Sequence, residues 1–222
     1  MTLATQVLVI TKAPVPGRSK TRLTPPCTPD QAAGIAAAAV ADTLDAVRGT
    51  PVADRVDALD GEPGDLDLTH FTVVPQVDGD LGTRLAAAFS DAMAGTGAPT
   101  LLIGMDTPQV TPALLARCAE RLEAGGPGTA VLGTAPDGGW WALGLHRADG
   151  AAVLASVPMS REDTGARTRE ALEEIGLIVI DLPELTDIDH FAEALAVAGA
   201  CPPGSRTRRV VTAIADDLER TP

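Results

Sequence analysis

Val7-Leu-Val-Ile10 runs into Thr11-Lys12-Ala-Pro-Val-Pro-Gly17-Arg18-Ser-Lys20-Thr-Arg22-Leu23, and a helix start, Thr28-Pro29-Asp30-Gln31, follows. The apolar run is short and continuous, the pattern of a strand buried on both faces. The helix start combines an N-cap Thr, a Pro at the first helical position and a capping-box Gln. An Ala-rich helix reaching about Val47 is expected from it. Strand, loop and helix in this order are the first unit of a parallel sheet.

The loop is the chemically informative part. Lys12 and Lys20 are the only lysines among 222 residues. With Arg18 and Arg22 they make Lys12–Leu23 an all-positive segment, while the chain as a whole carries a formal net charge of −13. Such a loop in an acidic protein reads as an anion site, since the remaining surface repels anions. Lys contributes a compact charge and Arg a planar fork, a pair suited to phosphates. Lys20 and Arg22 are the candidate catalytic cations; Lys12, Gly17 and Arg18 are candidate nucleotide-binding residues. The segment is not a P-loop, because the Gly before the Lys is missing, and no G-x-G-x-x-G follows a strand.

Downstream, strand and helix patterns alternate. Strands are expected at Val52–Leu59, Phe71–Val74, Thr100–Ile103, Thr129–Leu132, Trp140–Leu145 and Ile178–Leu182. Helices are expected at Leu81–Met93 (ending at Gly95), from Thr111-Pro112 to Ala124, at Thr164–Glu174 and at Ile188–Ala198. This alternation predicts an α/β fold with a mainly parallel sheet covered on both sides. Residues 1–200 are expected to form one domain, and 201–222 a linker and a short helix. Ligands of such sheets bind beyond the carboxyl ends of the strands. The basic loop, Asp106 and Asp137-Gly138-Gly139 all fall there.

Asp106 ends an apolar strand, where an unpaired carboxylate is expensive to hold. It reads either as a ligand for Mg²⁺ (or Mn²⁺) beside phosphate oxygens or as a turn residue before Thr107-Pro108. Asp189 offers a second metal carboxylate, with Asp187 as its competitor. Asp137-Gly138-Gly139 reads as a close backbone approach to a ligand or as an ordinary hairpin turn. Gln76 and Gly79-Asp-Leu-Gly82 follow another strand end, and a Gln there is able to read a base edge. Trp140-Trp141 reads as core, with one ring available to an acceptor pocket.

Composition narrows the function. Hydrophobic residues at 45% support a sizeable core, and aromatics at 2% require it to be built from Ala, Val, Leu and Ile. An acidic chain is a poor match for nucleic acid. Cys27, Cys118 and Cys201 lie far apart without a C-x-x-C, so neither a zinc ribbon nor a disulfide framework is supported. No signal peptide or membrane-length apolar stretch is present, which predicts a cytoplasmic protein without a membrane partner.

The ordered set Ala-Pro-Val-Pro-Gly-Arg-Ser-Lys-Thr-Arg-Leu, Gly79-Asp-Leu-Gly82, Gly104-Met-Asp-Thr-Pro108, Asp137-Gly-Gly139 and Asp187-Ile-Asp189 resembles the rSAM/selenodomain-associated transferase 1 family (DUF2064). That family is glycosyltransferase-A-like and similar to 2-phospholactate guanylyltransferases and nucleotide-diphospho-sugar transferases. The resemblance implies a Rossmann-like three-layer sandwich with a nucleotide on one side and an acceptor on the other. By position it implies phosphate contacts from Lys12, Lys20 and Arg22, and a metal on Asp106 and Asp189. It places Gln76 and Gly82 near the base, and Asp137 and Gly138 toward the acceptor. After Asp189 the chain departs from the usual Thr-Pro-Glu-Asp with His190-Phe-Ala-Glu193.

Three functions follow as expectations. The first is nucleotidyl transfer from a nucleoside triphosphate to a small phosphate-type acceptor. The second is glycosyl transfer from a nucleotide sugar, and the third a non-catalytic nucleotide-binding module. The missing Asp-x-Asp at Met105-Asp-Thr-Pro favours the first over the second.

Overall fold

The computed structural model describes residues 2–220. The elements are β1 (Gln6–Lys12), α1 (Pro29–Arg48), β2 (Arg55–Asp60), β3 (Thr72–Pro75), α2 (Leu81–Thr96), β4 (Thr100–Gly104) and α3 (Pro112–Gly125). They continue as β5 (Thr129–Thr134), β6 (Trp140–Leu145), the single turn α4 (Ala148–Ala151), α5 (Thr164–Glu174), β7 (Ile178–Asp181), α6 (Phe191–Ala200) and α7 (Arg206–Arg220). Tight 3-10 turns occupy Thr21–Leu23 and Ala152–Ser156.

The strands form one seven-stranded sheet in the order β3-β2-β1-β4-β6-β5-β7. Every pairing is parallel except those of β6, which runs antiparallel to both β4 and β5. Side chains alternate across the sheet, as the two-residue period of a strand requires. Val7 and Val9 of β1 join Leu101 and Ile103 of β4 against Val40 and Leu44 of α1 and Leu115 and Leu122 of α3. Leu8, Val56, Leu102 and Leu143 face the other way, onto Leu85 and Phe89 of α2 and Leu172 of α5. The result is the three-layer α/β sandwich expected from the alternating pattern.

The caps hold α1 and α3 in place. The Thr28 side chain accepts from Gln31 N while the Gln31 side chain accepts from Thr28 N, so α1 opens with the expected capping box. Thr111 caps α3 by accepting from Leu114 N. Helix α1 is apolar on two sides. Its Ala32, Ile35 and Ala39 pack outward with Leu23, Ile188, Val197, Cys201 and Val211, forming a second small core beneath α6 and α7. The three cysteines are free and buried.

Several boundaries differ from expectation, each for a local reason. Helix α2 passes through Gly95 and stops at Gly97, which adopts the left-handed φ of 65° and donates to Met93 O. Helix α6 begins at Phe191 rather than Ile188. Backbone bonds from Leu182 N to Leu132 O, Leu185 N to Thr134 O and Ile188 N to Asp106 O hold the chain extended before it. Val52 makes only an isolated bridge with Leu3, and β2 starts at Arg55. Helix α4 and the following 3-10 turn carry no periodic apolar pattern and were not anticipated. Among the described residues, no helix is long and apolar enough to cross a membrane.

Candidate active site

Because β1 and β4 run parallel while β6 runs against β4 and β5, the ends of β1 and β4 and the turn from β5 into β6 open on one rim. A cleft of about 930 Å³ lies there. Lys12, Arg22, Gln76, Asp106, Asp137, Gly138 and Asp189 all line it, so residues spread over most of the chain meet in one place.

The basic loop is shaped by Ser19. Its buried hydroxyl donates to Ala13 O at 2.9 Å and accepts from Val15 N at 3.0 Å. Val15 O in turn accepts from the N–H groups of Arg18 and Ser19. Pro14–Arg18 is thereby folded into a small exposed turn. Gly17, with φ 72°, and Arg18 sit on that turn and do not line the cleft, contrary to the expectation for both. The compact turn formed by Ser19 carries them away from it.

Lys20 also differs from expectation. It adopts a left-handed backbone, φ 49°, uncommon for a residue with a side chain. Its ammonium lies 2.8 Å from Asp106 Oδ2 and 3.6 Å from Asp189 Oδ1, and it donates to Ile188 O. Three donors thus face three protein acceptors, and the side chain is only 8% exposed. Burial alone depresses the Lys20 pKa, but Asp106, then Asp189 and Asp187, outweigh it and hold the ammonium above its ordinary value. Lys20 is therefore the internal counter-ion of the acidic residues rather than a cation free for phosphate. Arg22 places NH1 2.6 Å from Asp189 Oδ2 and leaves the rest of its exposed guanidinium open. Lys12 is exposed on the rim.

The acids gather opposite. Asp187, Ile188 and Asp189 alternate in an extended segment. Ile188 is buried in the second core, and its neighbours line the cleft. Carboxylate oxygens of Asp137, Asp187 and Asp189 lie within 4.8 Å of one another. Burial, followed by the charges of Asp137 and Asp189, pushes the Asp187 carboxyl up to about 6, against the pull of Lys20. The buried Asp106 Oδ1 has no hydrogen-bond partner. The three crowded acids, with the orphaned Asp106 oxygen in the same cleft but outside their cluster, fit a hard divalent cation such as Mg²⁺ or Mn²⁺, which takes oxygen ligands. Both Asp187 and Asp189 are positioned for that role.

Gly138 and Gly82 are required by close packing. Gly138 has φ 86°, and a Cβ there would lie 1.8 Å from Glu162 O. The Asp137–Gly139 turn is clamped onto the start of α5 by Gly165 N donating to Gly138 O at 2.7 Å. Asp137 Oδ1 accepts from Gly139 N at 2.8 Å, which aims the carboxylate at the rim. Gly82 does not line the cleft; a Cβ there would meet Leu154 O at 2.2 Å, so this Gly lets α2 approach the Ala152–Ser156 turn. Trp141 is core, donating to Pro183 O, whereas Trp140 lines the cleft with its ring fixed by a bond to Thr168 Oγ1.

Gln76 does line the cleft, but its amide is occupied. Nε2 donates to Thr11 O at 2.8 Å and Ala58 O at 2.6 Å, and Oε1 accepts from Arg84 Nε at 2.7 Å. Arg84 and Arg161 are the cleft cations that sequence reasoning missed. For Arg84 the available signal was a cation one turn into the helix capped by Asp80. For Arg161 there was none.

This sheet order and carboxyl-end cleft define a Rossmann-like transferase fold. The chain belongs to the DUF2064 family, described as uncharacterized proteins conserved in bacteria, whose model matches residues 43–161, a little over half the chain. It is similar to the crystal structure of a Desulfovibrio desulfuricans G20 protein that carries the provisional name nucleotide-diphospho-sugar transferase. The two share 25% identity over 99% of this chain and 98% of that one, with a TM-score of 0.83. The fold is also that of a nucleotidyl transferase from Methanothermobacter thermautotrophicus (19% identity, 87% and 95% coverage, TM-score 0.57). Rv0371c from Mycobacterium tuberculosis H37Rv, in complex with manganese, has it too (19% identity, 96% and 100% coverage, TM-score 0.51). No curated protein matches the chain.

Proposed function

We propose that this protein is a divalent-metal-dependent transferase that transfers a nucleotidyl group from a nucleoside triphosphate to a small phosphate-bearing acceptor, releasing pyrophosphate. The observation that carries this reading is the convergence of Asp106, Asp137, Asp187 and Asp189 with Arg22 in one cleft, with Lys20 behind it as the buried counter-ion of Asp106 and Asp189. Asp106 and Asp189, with Asp187 beside them, would hold Mg²⁺ or Mn²⁺. Bound there, the ion supplies neutralisation of phosphate charge.

The remaining work falls to the chain. Lys12 and the open face of Arg22 attract the triphosphate and balance the charge that builds on the leaving pyrophosphate. Lys20 keeps the carboxylates of Asp106 and Asp189 in place. An oxygen of the acceptor phosphate forms a bond to the α-phosphorus while the bond from that phosphorus to the β-bridging oxygen breaks. The electron pair leaves with pyrophosphate, and no proton need move. Asp137 and Trp140 border the acceptor end.

Glycosyl transfer is the second reading. The provisional name of the Desulfovibrio desulfuricans protein favours it. So does the exposed Asp137 carboxylate, a suitable base for an acceptor hydroxyl. The leaving group separates the two. Pyrophosphate from a panel of triphosphates supports the first, and nucleoside diphosphate from nucleotide sugars supports the second. Asp106→Asn should reduce either turnover at least a hundredfold. Nucleotide binding that is equal with Mg²⁺ and with chelator, and without turnover, would leave only a non-catalytic module.

A further inference from the structure

Arg84 is held as few cleft residues are. Its Nε and NH2 both donate to Gln76 Oε1, and NH2 also reaches Asp60 Oδ2 at 3.0 Å. Gln76 is in turn fixed by its two donors on Thr11 O and Ala58 O. All four hydrogen-bonding positions of the Gln76 amide are thus used inside the protein. Gln76 is itself left with no free position for a ligand, yet it orients a guanidinium whose NH1 makes no hydrogen bond among the described residues. Arg84 is partly buried and lines the cleft.

Location decides what NH1 meets. Asp60 and the Gln76 contacts lie at the carboxyl ends of β2 and β1, and Asp106 follows β4. In the sheet β1 separates β2 from β4, so two strand spacings, about 10 Å, lie between the end of β2, whose Asp60 holds Arg84, and the end of β4, which Asp106 follows. That span is too long for one phosphate to contact both. It matches the reach of a nucleoside whose phosphates sit at the acids and whose base lies toward β2. Ile10, Leu81 and Leu85 line the cleft there as apolar surface for a ring.

On the reading of the site as nucleotide-using, we propose that Arg84 selects the nucleobase by donating from NH1 to a ring carbonyl oxygen, and that Gln76 is its positioning residue. An Arg offers donors only. Guanine, uracil and cytosine carry a carbonyl acceptor, and adenine carries none. Arg84 therefore favours the first three over adenine.

The test is calorimetric titration of the full chain in Mg²⁺ with GTP, UTP, CTP, ATP and inorganic tripolyphosphate, for the natural protein, Arg84→Lys and Gln76→Ala. The natural protein should bind at least one carbonyl-bearing triphosphate about tenfold or more tightly than ATP. Both variants should lose that selectivity while their tripolyphosphate affinity stays within twofold, a pattern that general loosening of the fold would not give. Unchanged selectivity in Arg84→Lys overturns the proposal, as does a parallel loss of tripolyphosphate binding, which would make Arg84 a phosphate ligand. Neither result touches the nucleotide reading. A natural protein that binds none of the five probes overturns both.

Discussion

Lys20 Nζ lies 2.8 Å from Asp106 Oδ2, and the same ammonium faces Asp189 and the carbonyl between the two acids of the Asp187–Asp189 segment. One buried cation thus joins the loop after β1 to the end of β4 and to the segment before α6.

Replacing Lys20 by Met should expose how far the acids depend on it. Deleting one partner of a fully buried pair destabilises by about 3–5 kcal/mol, and the one-third exposure of Asp106 lowers the expectation to about 2 kcal/mol. Mn²⁺ should then raise the melting temperature of Lys20→Met more than that of the natural protein. Thermal unfolding with and without the ion measures both effects, and an equal response would show that Lys20 does not compensate these carboxylates.

Ile188→Ala should loosen the acidic segment from behind. Removing a fully buried Ile from the second core destabilises by about 3 kcal/mol. Asp187 and Asp189 keep their identities but lose their anchor. Mn²⁺ affinity, read by paramagnetic relaxation, should fall about tenfold. Leu23→Ala, on the same core but outside the segment, should cost similar stability with a smaller effect on affinity.

Glycine substitutions should separate the two glycine turns. Gly138→Ala meets Glu162 O at 1.8 Å in a left-handed conformation and should destabilise by about 3 kcal/mol or more. Gly17→Ala has open space around it and carries only the φ penalty, about 1 kcal/mol. Denaturant unfolding compares them directly, and turnover should survive only the second.

Asp57 predicts a pH-dependent stability that arises in β2, outside the acidic cluster. Its side chain is buried in β2, accepts from Thr11 Oγ1 at 2.7 Å, and leaves Oδ1 without a partner. Burial, partly opposed by the Thr11 bond, pushes its carboxyl up to about 6 from 3.8. Between these values the unfolded chain has released the proton and the folded chain retains it, so stability falls as pH rises through that window and levels off above it. Asp57→Asn resembles the protonated acid and should match the natural protein near pH 4. Above pH 7 it should be more stable by about 2–3 kcal/mol. A constant difference across this range would exclude Asp57 as the cause.

The elements legible from the sequence are those whose determinants are local. Thr28-Pro29-Asp30-Gln31 carries its capping box within four residues, and Val7–Ile10 its burial in its own composition. The meeting of Lys20, Asp106, Asp137 and Asp189 was also readable, because parallel strands deliver their trailing loops to one edge. Whether Lys20 faces phosphate or carboxylate was not readable. That outcome depends on Ile188 docking under α1 and on the left-handed turn at Lys20, both set by tertiary packing. Gln76 and Gly82 were read as ligand residues for the same reason. Their partners, Arg84 and the backbone of Leu154, are fixed only by how α2 lies against the rest.

The alternating Asp187-Ile-Asp189 tripeptide is a wedge between β7 and α6 whose position sets the charge layout of the cleft. Inserting or deleting one residue between Leu182 and Asp187 would turn Ile188 outward and drive both acids into an apolar core. Length variation should therefore be forbidden in that short connector.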